Sequence, residues 1–282
     1  MAAALEEIGY LTDDGLATAL FLAASLRQPL LLEGEPGVGK TTAAKALARV
    51  TGGPLLRLQC YEGITASEAL YEWNYARQLL EIRLAESGGS AVSAGDLFCD
   101  DYLLERPLLA ALRHPGPEPA VLLIDEIDRA DDEFEALLFE FLGERSVTIP
   151  ELGTVRSVVD PIVVLTSNRS RELHDALKRR CLYHWIAFPD VERAAAIVRR
   201  NVAAASDGLV TAATAFVHAA RDLDLDKPPG IAEAIDWVGA LHALGVADLD
   251  VDTTRLTLGA VVKSPDDLDR TVAALDSGDL VP

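Results

Sequence analysis

Eight consecutive residues set the chemistry. Gly34-Glu35-Pro36-Gly37-Val38-Gly39-Lys40-Thr41 fits G-x-x-x-x-G-K-[ST]. Glycines let a backbone turn tightly enough to aim several N–H groups at one centre. A helix N-terminus behind them adds its dipole, so such a loop cradles phosphates. Lys40 is placed to reach the β- and γ-phosphates and Thr41 to ligate Mg²⁺, with Thr42 grouped beside them. Val121-Leu122-Leu123-Ile124-Asp125-Glu126 is an apolar run ending in two carboxylates. Asp125 suits a water-mediated hold on Mg²⁺, and Glu126 suits activation of an attacking water. Apolar strands often end in acids, so this pair gains its meaning from the loop. Thr166-Ser167-Asn168 closes another apolar run. An Asn there can orient the lytic water, although Ser-Asn after a strand is also an ordinary turn. Lys178-Arg179-Arg180 precedes a further run. An Arg there can point across a subunit boundary at a γ-phosphate, while spacing alone favours a solvated basic helix end.

These groups need rigid elements behind them. The pattern predicts strands at Gln28–Glu33, Leu55–Gln59, Ala120–Ile124, Pro161–Thr166 and Leu182–Phe188. Helices are predicted at Asp13–Leu26, from the loop to about Val50, around Tyr102–Arg113 and at Glu133–Leu142. Residues 145–157 read as a β-hairpin turning near Pro150–Gly153. A Gly/Ser patch lies at Ser87–Ser90. After Pro189 the strands stop, and Ala-rich helical stretches follow at Val191–Ala205, Thr211–Leu223, Ile231–Leu244 and Leu268–Ala274. Alternating strands and helices followed by helices alone predict an α/β domain and a small all-helical one.

Composition excludes several classes. The chain has 282 residues, half of them hydrophobic, with 25 basic and 45 acidic side chains and a net charge of −20. That rules out disorder and argues against gripping nucleic acid or an anionic membrane through a basic face. Cys60, Cys99 and Cys181 are odd in number and widely spaced, so neither a disulfide framework nor a zinc site is indicated. The N-terminus lacks the basic start of a signal peptide, and the apolar run near Leu16–Leu26 is too short to span a bilayer. A cytoplasmic protein without a membrane span is the expectation.

Taken in order, GEPGVGKT, LLIDE, the hairpin, LTSN and KRRC resemble an AAA+ P-loop ATPase. The hairpin looks like a pre-sensor-1 insertion, and Cys60–Arg83 sits where a helix-2 insert falls, a pairing similar to the MoxR branch. LTSNRSRELHDALKRRCLYHWIAFP and PPGIAEAIDWVGAL resemble the CO-dehydrogenase accessory (CoxD-like) group, and the likeness covers roughly residues 10–245. The resemblance implies an αβα sandwich with a parallel sheet over residues 1–187, with inserts at about 60–83 and 145–157, then a helical lid over 188–282. It implies ATP and Mg²⁺ as ligands and a homo-oligomeric, hexameric ring that remodels or matures a client protein. A partner carrying a von Willebrand factor A domain goes with it, as does a client of the molybdenum- and copper-containing CO-dehydrogenase type.

Carried over by position, Gly34–Thr41 is the Walker A loop, Asp125 and Glu126 the Walker B pair, and Asn168 sensor 1. Arg180 best matches the arginine finger, with Arg179 the fallback. Where the family's sensor-2 arginine starts a lid helix, this chain reads Pro228-Pro229-Gly230-Ile231-Ala232-Glu233, with no Arg. Trp73 and Tyr75 in the insert are candidates for touching a client or for core packing, and His184 and Trp185 are expected to pack.

Rival readings fit less well. A small-molecule P-loop kinase needs neither the Asn, the hairpin nor the helical domain. A GTPase needs Asn-Lys-x-Asp and an ABC-type ATPase an LSGGQ-like signature, both absent from the sequence. A nucleotide-binding scaffold without turnover leaves Glu126 unexplained. A DNA-linked AAA+ translocase or restriction-type motor is the main alternative. Its hairpin, however, carries only Arg145 and Arg156, offset by Glu144 and Glu151.

Overall fold

The computed structural model describes residues 1–88 and 93–282. The Gly/Ser patch therefore falls partly outside the described residues. The chain divides into two compact units, Met1–Glu33 with Thr41–Trp185 and Gly34–Lys40 with Ile186–Pro282.

The strands are β1 (Leu30–Gly34), β2 (Leu55–Gln59), β3 (Tyr71–Trp73), β4 (Leu103–Glu105), β5 (Val121–Asp125), β6 (Ser146–Ile149), β7 (Gly153–Arg156), β8 (Ile162–Ser167) and β9 (Leu182–Ile186). The main sheet has five strands in the order β2-β5-β8-β1-β9. Three neighbouring pairs run parallel: β2 with β5, β5 with β8, and β8 with β1. Every residue of β1, β5 and β8 is buried. Successive side chains on a strand point to opposite faces, so both faces are covered, as the unbroken apolar runs require of a parallel sheet. On one face Leu122, Ile124, Val163 and Leu165 join a core with Leu108, Leu112, Phe134 and Phe141. Those partners come from the helices Pro107–Arg113 and Asp132–Glu144.

The segment before Arg113 differs from expectation. The helix expected around Tyr102–Arg113 begins only at Pro107, because Leu103–Glu105 is extended and pairs antiparallel with β3. Proline's fixed φ and missing N–H suit the first turn of a helix, so Pro107 sets the start. The insert is therefore a small two-stranded sheet carrying the helix Tyr75–Ser87. Within it Trp73 is 6% exposed and meets Phe98 edge-to-face at 5.2 Å. Trp73 is thus a core residue and not a client contact, whereas Tyr75 is exposed. The hairpin forms as read, with Ser146 opposite Arg156 and Ile149 opposite Gly153.

The second unit is built on helices. Val191–Asn201, Asp207–Ala220, Ile231–Ala243, Val251–Thr257 and Pro265–Ser277 surround Trp237, which is fully buried. Its indole N–H donates to the Thr257 hydroxyl at 2.8 Å, and its ring packs on Phe216 at 5.2 Å. Buried indoles are normally tied to an acceptor in this way. Among the described residues no helix is long and apolar enough to cross a membrane.

Candidate phosphate-binding and hydrolytic site

The loop between β1 and the helix Lys40–Thr51 has the backbone its glycines permit. Gly37 has φ +78° and Gly39 φ +98°, both in the left-handed region that side chains disfavour. Within the second unit the loop also lies close to Gly230: a Cβ on Gly37 would come 3.1 Å from Glu233 Oε2 and 3.2 Å from the Gly230 Cα. Lys40 is 7% exposed, and its ammonium donates to the Gly34 and Glu35 carbonyls at 2.7 Å each. Those carbonyls pin the lysine along the inner wall of its own loop. Pro36 and Thr42 are exposed, and Val38 is buried.

Thr41, the next residue, points to the sheet. Its hydroxyl donates to Asp125 at 3.1 Å (Oδ1) and 3.2 Å (Oδ2). Asp125 ends β5 at 3% exposure and accepts from the Thr166 hydroxyl at 2.5 Å. A hydroxyl and a carboxylate are the hard oxygen donors that Mg²⁺ prefers, and Mg²⁺ with nucleotide needs only one or two protein ligands. The donor set therefore fits the metal.

Glu126 follows in the left-handed conformation, φ 56°, ψ 50°. A non-glycine residue there costs on the order of 1 kcal/mol and needs a reason to persist. Two contacts hold it: its N–H donates to Thr166 Oγ1 at 2.9 Å, and its carboxylate meets Arg129 Nε at 2.8 Å. The turn swings the Glu126 side chain out of the strand line while Asp125 stays in it. One threonine on β8 thus fixes both acids. Asn168 comes next to this turn through Asp128, whose Oδ2 accepts from the N–H groups of Asn168 (3.2 Å) and Ser170 (2.8 Å). Cys60 lies beside the acids and donates its N–H to the Asp125 carbonyl at 2.8 Å. Burial, then the charges of Asp125, Asp128 and Glu126, push its thiol up to about 12, so it stays protonated.

Arg179 and Arg180 are both exposed. Arg180 donates to the Phe139 carbonyl at 2.9 Å and lies over that ring at 5.3 Å. His184 is half-buried, but Trp185 is 39% exposed beneath the Arg169 guanidinium, so packing accounts for the first and not the second.

Residues 29–181, more than half of the chain, match the AAA domain of the dynein-related subfamily. The chain belongs to the AAA family. It is similar to the protein MoxR of Paracoccus denitrificans, 30% identical over 129 residues, 46% of this chain and 31% of that protein. The MoxR of Methylorubrum extorquens matches with the same identity and coverage, 30% over 129 residues. The match therefore spans about a third of the length of these curated relatives. Among solved structures, a single-residue mutant of RuvB from Thermotoga maritima has a TM-score of 0.52, covering 90% of this chain and 70% of that one. At 18% identity that likeness concerns the fold alone.

The AAA chain brings three further groups to the site that spacing does not reveal, Arg57, Asp128 and Arg129, and Thr166 of the strand-end triplet proves to hold both acids. Within the second unit, Arg221 ion-pairs with Glu35 of the loop, donates to the Pro229 carbonyl at 2.6 Å and lies 3.9 Å over Phe188. Its side chain is only 13% exposed. Arg221→Ala removes a stacked cation, a carbonyl contact and the partner of Glu35 together. The expected cost is about 2 kcal/mol, seen as a lower thermal midpoint. An unchanged midpoint would mean that the contacts contribute nothing to holding the loop.

Proposed function

We propose that this AAA chain is a MoxR-type AAA+ ATPase. In this reading it hydrolyses ATP in a homo-oligomeric, hexameric ring and uses the energy to remodel or mature a client protein. The observation that carries the reading is the pairing of Thr41 with Asp125, with Glu126 turned out beside them; the glycine-shaped loop directly precedes Thr41 in the sequence. Asn168, one strand over, is suited to orient water. Lys40 and the loop N–H groups bind phosphate. Thr41 and Asp125 would hold the metal, which when bound neutralises charge on the phosphate oxygens. Glu126 takes the proton of the attacking water. Arg180, or Arg179, reaches the neighbouring subunit's site.

A protein client suits the surface better than DNA. The net charge is −20, and the helix Tyr75–Ser87 exposes Tyr75, Leu79, Leu80 and Leu84, each 58–60% accessible. Apolar side chains clustered on an insert mark an interaction surface. A von Willebrand factor A partner and a CO-dehydrogenase-type client complete the proposal. Residues 1–187 serve as the nucleotide-binding core and 188–282 as the lid.

Mixed subunits test the shared site. Arg180→Ala and Glu126→Gln are each expected to be inactive. A one-to-one mixture should place an intact Glu126 opposite an intact Arg180 at about a quarter of interfaces and recover phosphate release accordingly. No recovery, or full activity of assembled Arg180→Ala, would put the finger elsewhere. Stimulation of the wild type by DNA and not by protein partners would favour a translocase.

A further inference from the structure

Asp125 is the carboxylate suited to the metal, yet its Oδ2 already carries a cation. Arg57 on β2 donates to that oxygen from Nε at 3.0 Å and from Nη2 at 2.7 Å. Nη2 also reaches Gln59 Oε1 at 2.5 Å. The register explains the reach: Gln59 lies opposite Asp125 and Arg57 opposite Leu123. Residues two apart on a strand share a face, so Arg57, Gln59 and Asp125 stand together. With Thr166 on Oδ1 and Thr41 straddling both oxygens, the acceptor positions of Asp125 are filled.

The two partners differ in burial. The Asp125 side chain is 4% exposed and that of Arg57 48%. A buried carboxylate without a counter-charge is strongly unfavourable. The arginine cannot relieve a second cation by losing its proton. It can only move towards the solvent that half of it already meets, or stay and repel. Both routes weaken metal binding at Asp125.

We propose that Arg57 is a resident counter-ion that competes with the metal for Asp125. It lowers metal affinity at the nucleotide site and keeps the buried carboxylate neutralised whenever the metal departs. This rests on the reading of Thr41 and Asp125 as the Mg²⁺-holding pair. It adds a residue whose effect on the metal is opposite in sign to theirs.

Mn²⁺ titration of the full chain saturated with ADP, followed by the loss of the free-ion electron paramagnetic resonance signal, tests it. Arg57→Gln should bind Mn²⁺ about tenfold more tightly than wild type, and Arg57→Lys, which keeps the charge, should stay within about threefold. Unchanged or weaker binding by Arg57→Gln would overturn the proposal, since a merely structural role predicts weakening. The thermal midpoint gives a second reading that tolerates a less stable variant. Mn²⁺ with ADP should raise the midpoint of Arg57→Gln by more than that of wild type, and an equal or smaller rise counts against competition. Thr41→Val separates the two claims. It should weaken Mn²⁺ binding in either background, and if it does not, the metal-holding pair has been misread whatever Arg57 does.

Discussion

Lys40→Ala should bind ATP about a thousandfold more weakly than wild type, as read by titration with a fluorescent nucleotide. The lysine is 7% exposed and is held by two loop carbonyls at 2.7 Å each. Its stem is therefore ordered before phosphate arrives, and little side-chain entropy remains to be lost on binding. A buried ammonium facing phosphate oxygens makes charge-assisted hydrogen bonds, and truncating one partner of such a pair costs about 2–5 kcal/mol. Alanine also leaves the Gly34 and Glu35 carbonyls without their donor, so the loop loses an internal brace. Unchanged affinity would mean that the loop is a glycine-rich turn and nothing more.

Glu126→Gln should keep ATP bound with near-normal affinity while single-turnover hydrolysis falls by about 10²–10⁴-fold. The amide has almost the same size and can occupy the same left-handed turn, so the geometry fixed by Thr166 survives. What disappears is the capacity to accept a proton from water. The contact with Arg129 loses its ionic character, but both side chains are partly exposed, so stability should change little. The two variants would separate a general base from a binding residue: Lys40→Ala should change affinity and Glu126→Gln should change rate. Normal turnover in Glu126→Gln would place the base elsewhere.

Much of this was legible because periodicity and strand ends are local. The apolar pattern predicts β2 residue for residue as Leu55–Gln59, and β5 and β8 within a residue, because buried parallel strands are unbroken apolar runs. The ends of those runs pointed to Asp125 and Asn168. The short strands β3 and β4 escape, since three residues carry no period and their pairing joins positions thirty or more apart. The helices Ala2–Glu7 and Val251–Thr257 escaped as well, being only one or two turns long. Arg57 gave no signal at all. A single arginine on a strand looks like ordinary surface charge until the register sets it beside a carboxylate 68 residues later. Arg221 is the same case over 186 residues, from Glu35 to the end of a helix. Trp73 shows how packing decides what sequence leaves open: an aromatic in an insert suits a client contact or the core, and tertiary packing buries it.

Every role proposed for these residues depends on the chain turning over ATP. The most direct measurement is phosphate release by the purified wild-type chain at saturating ATP and Mg²⁺ over a protein concentration series. Mg²⁺-dependent release is expected, at a rate per subunit that rises with concentration as interfaces form. Tight ATP binding without phosphate release at any concentration would contradict it and leave a nucleotide-binding scaffold.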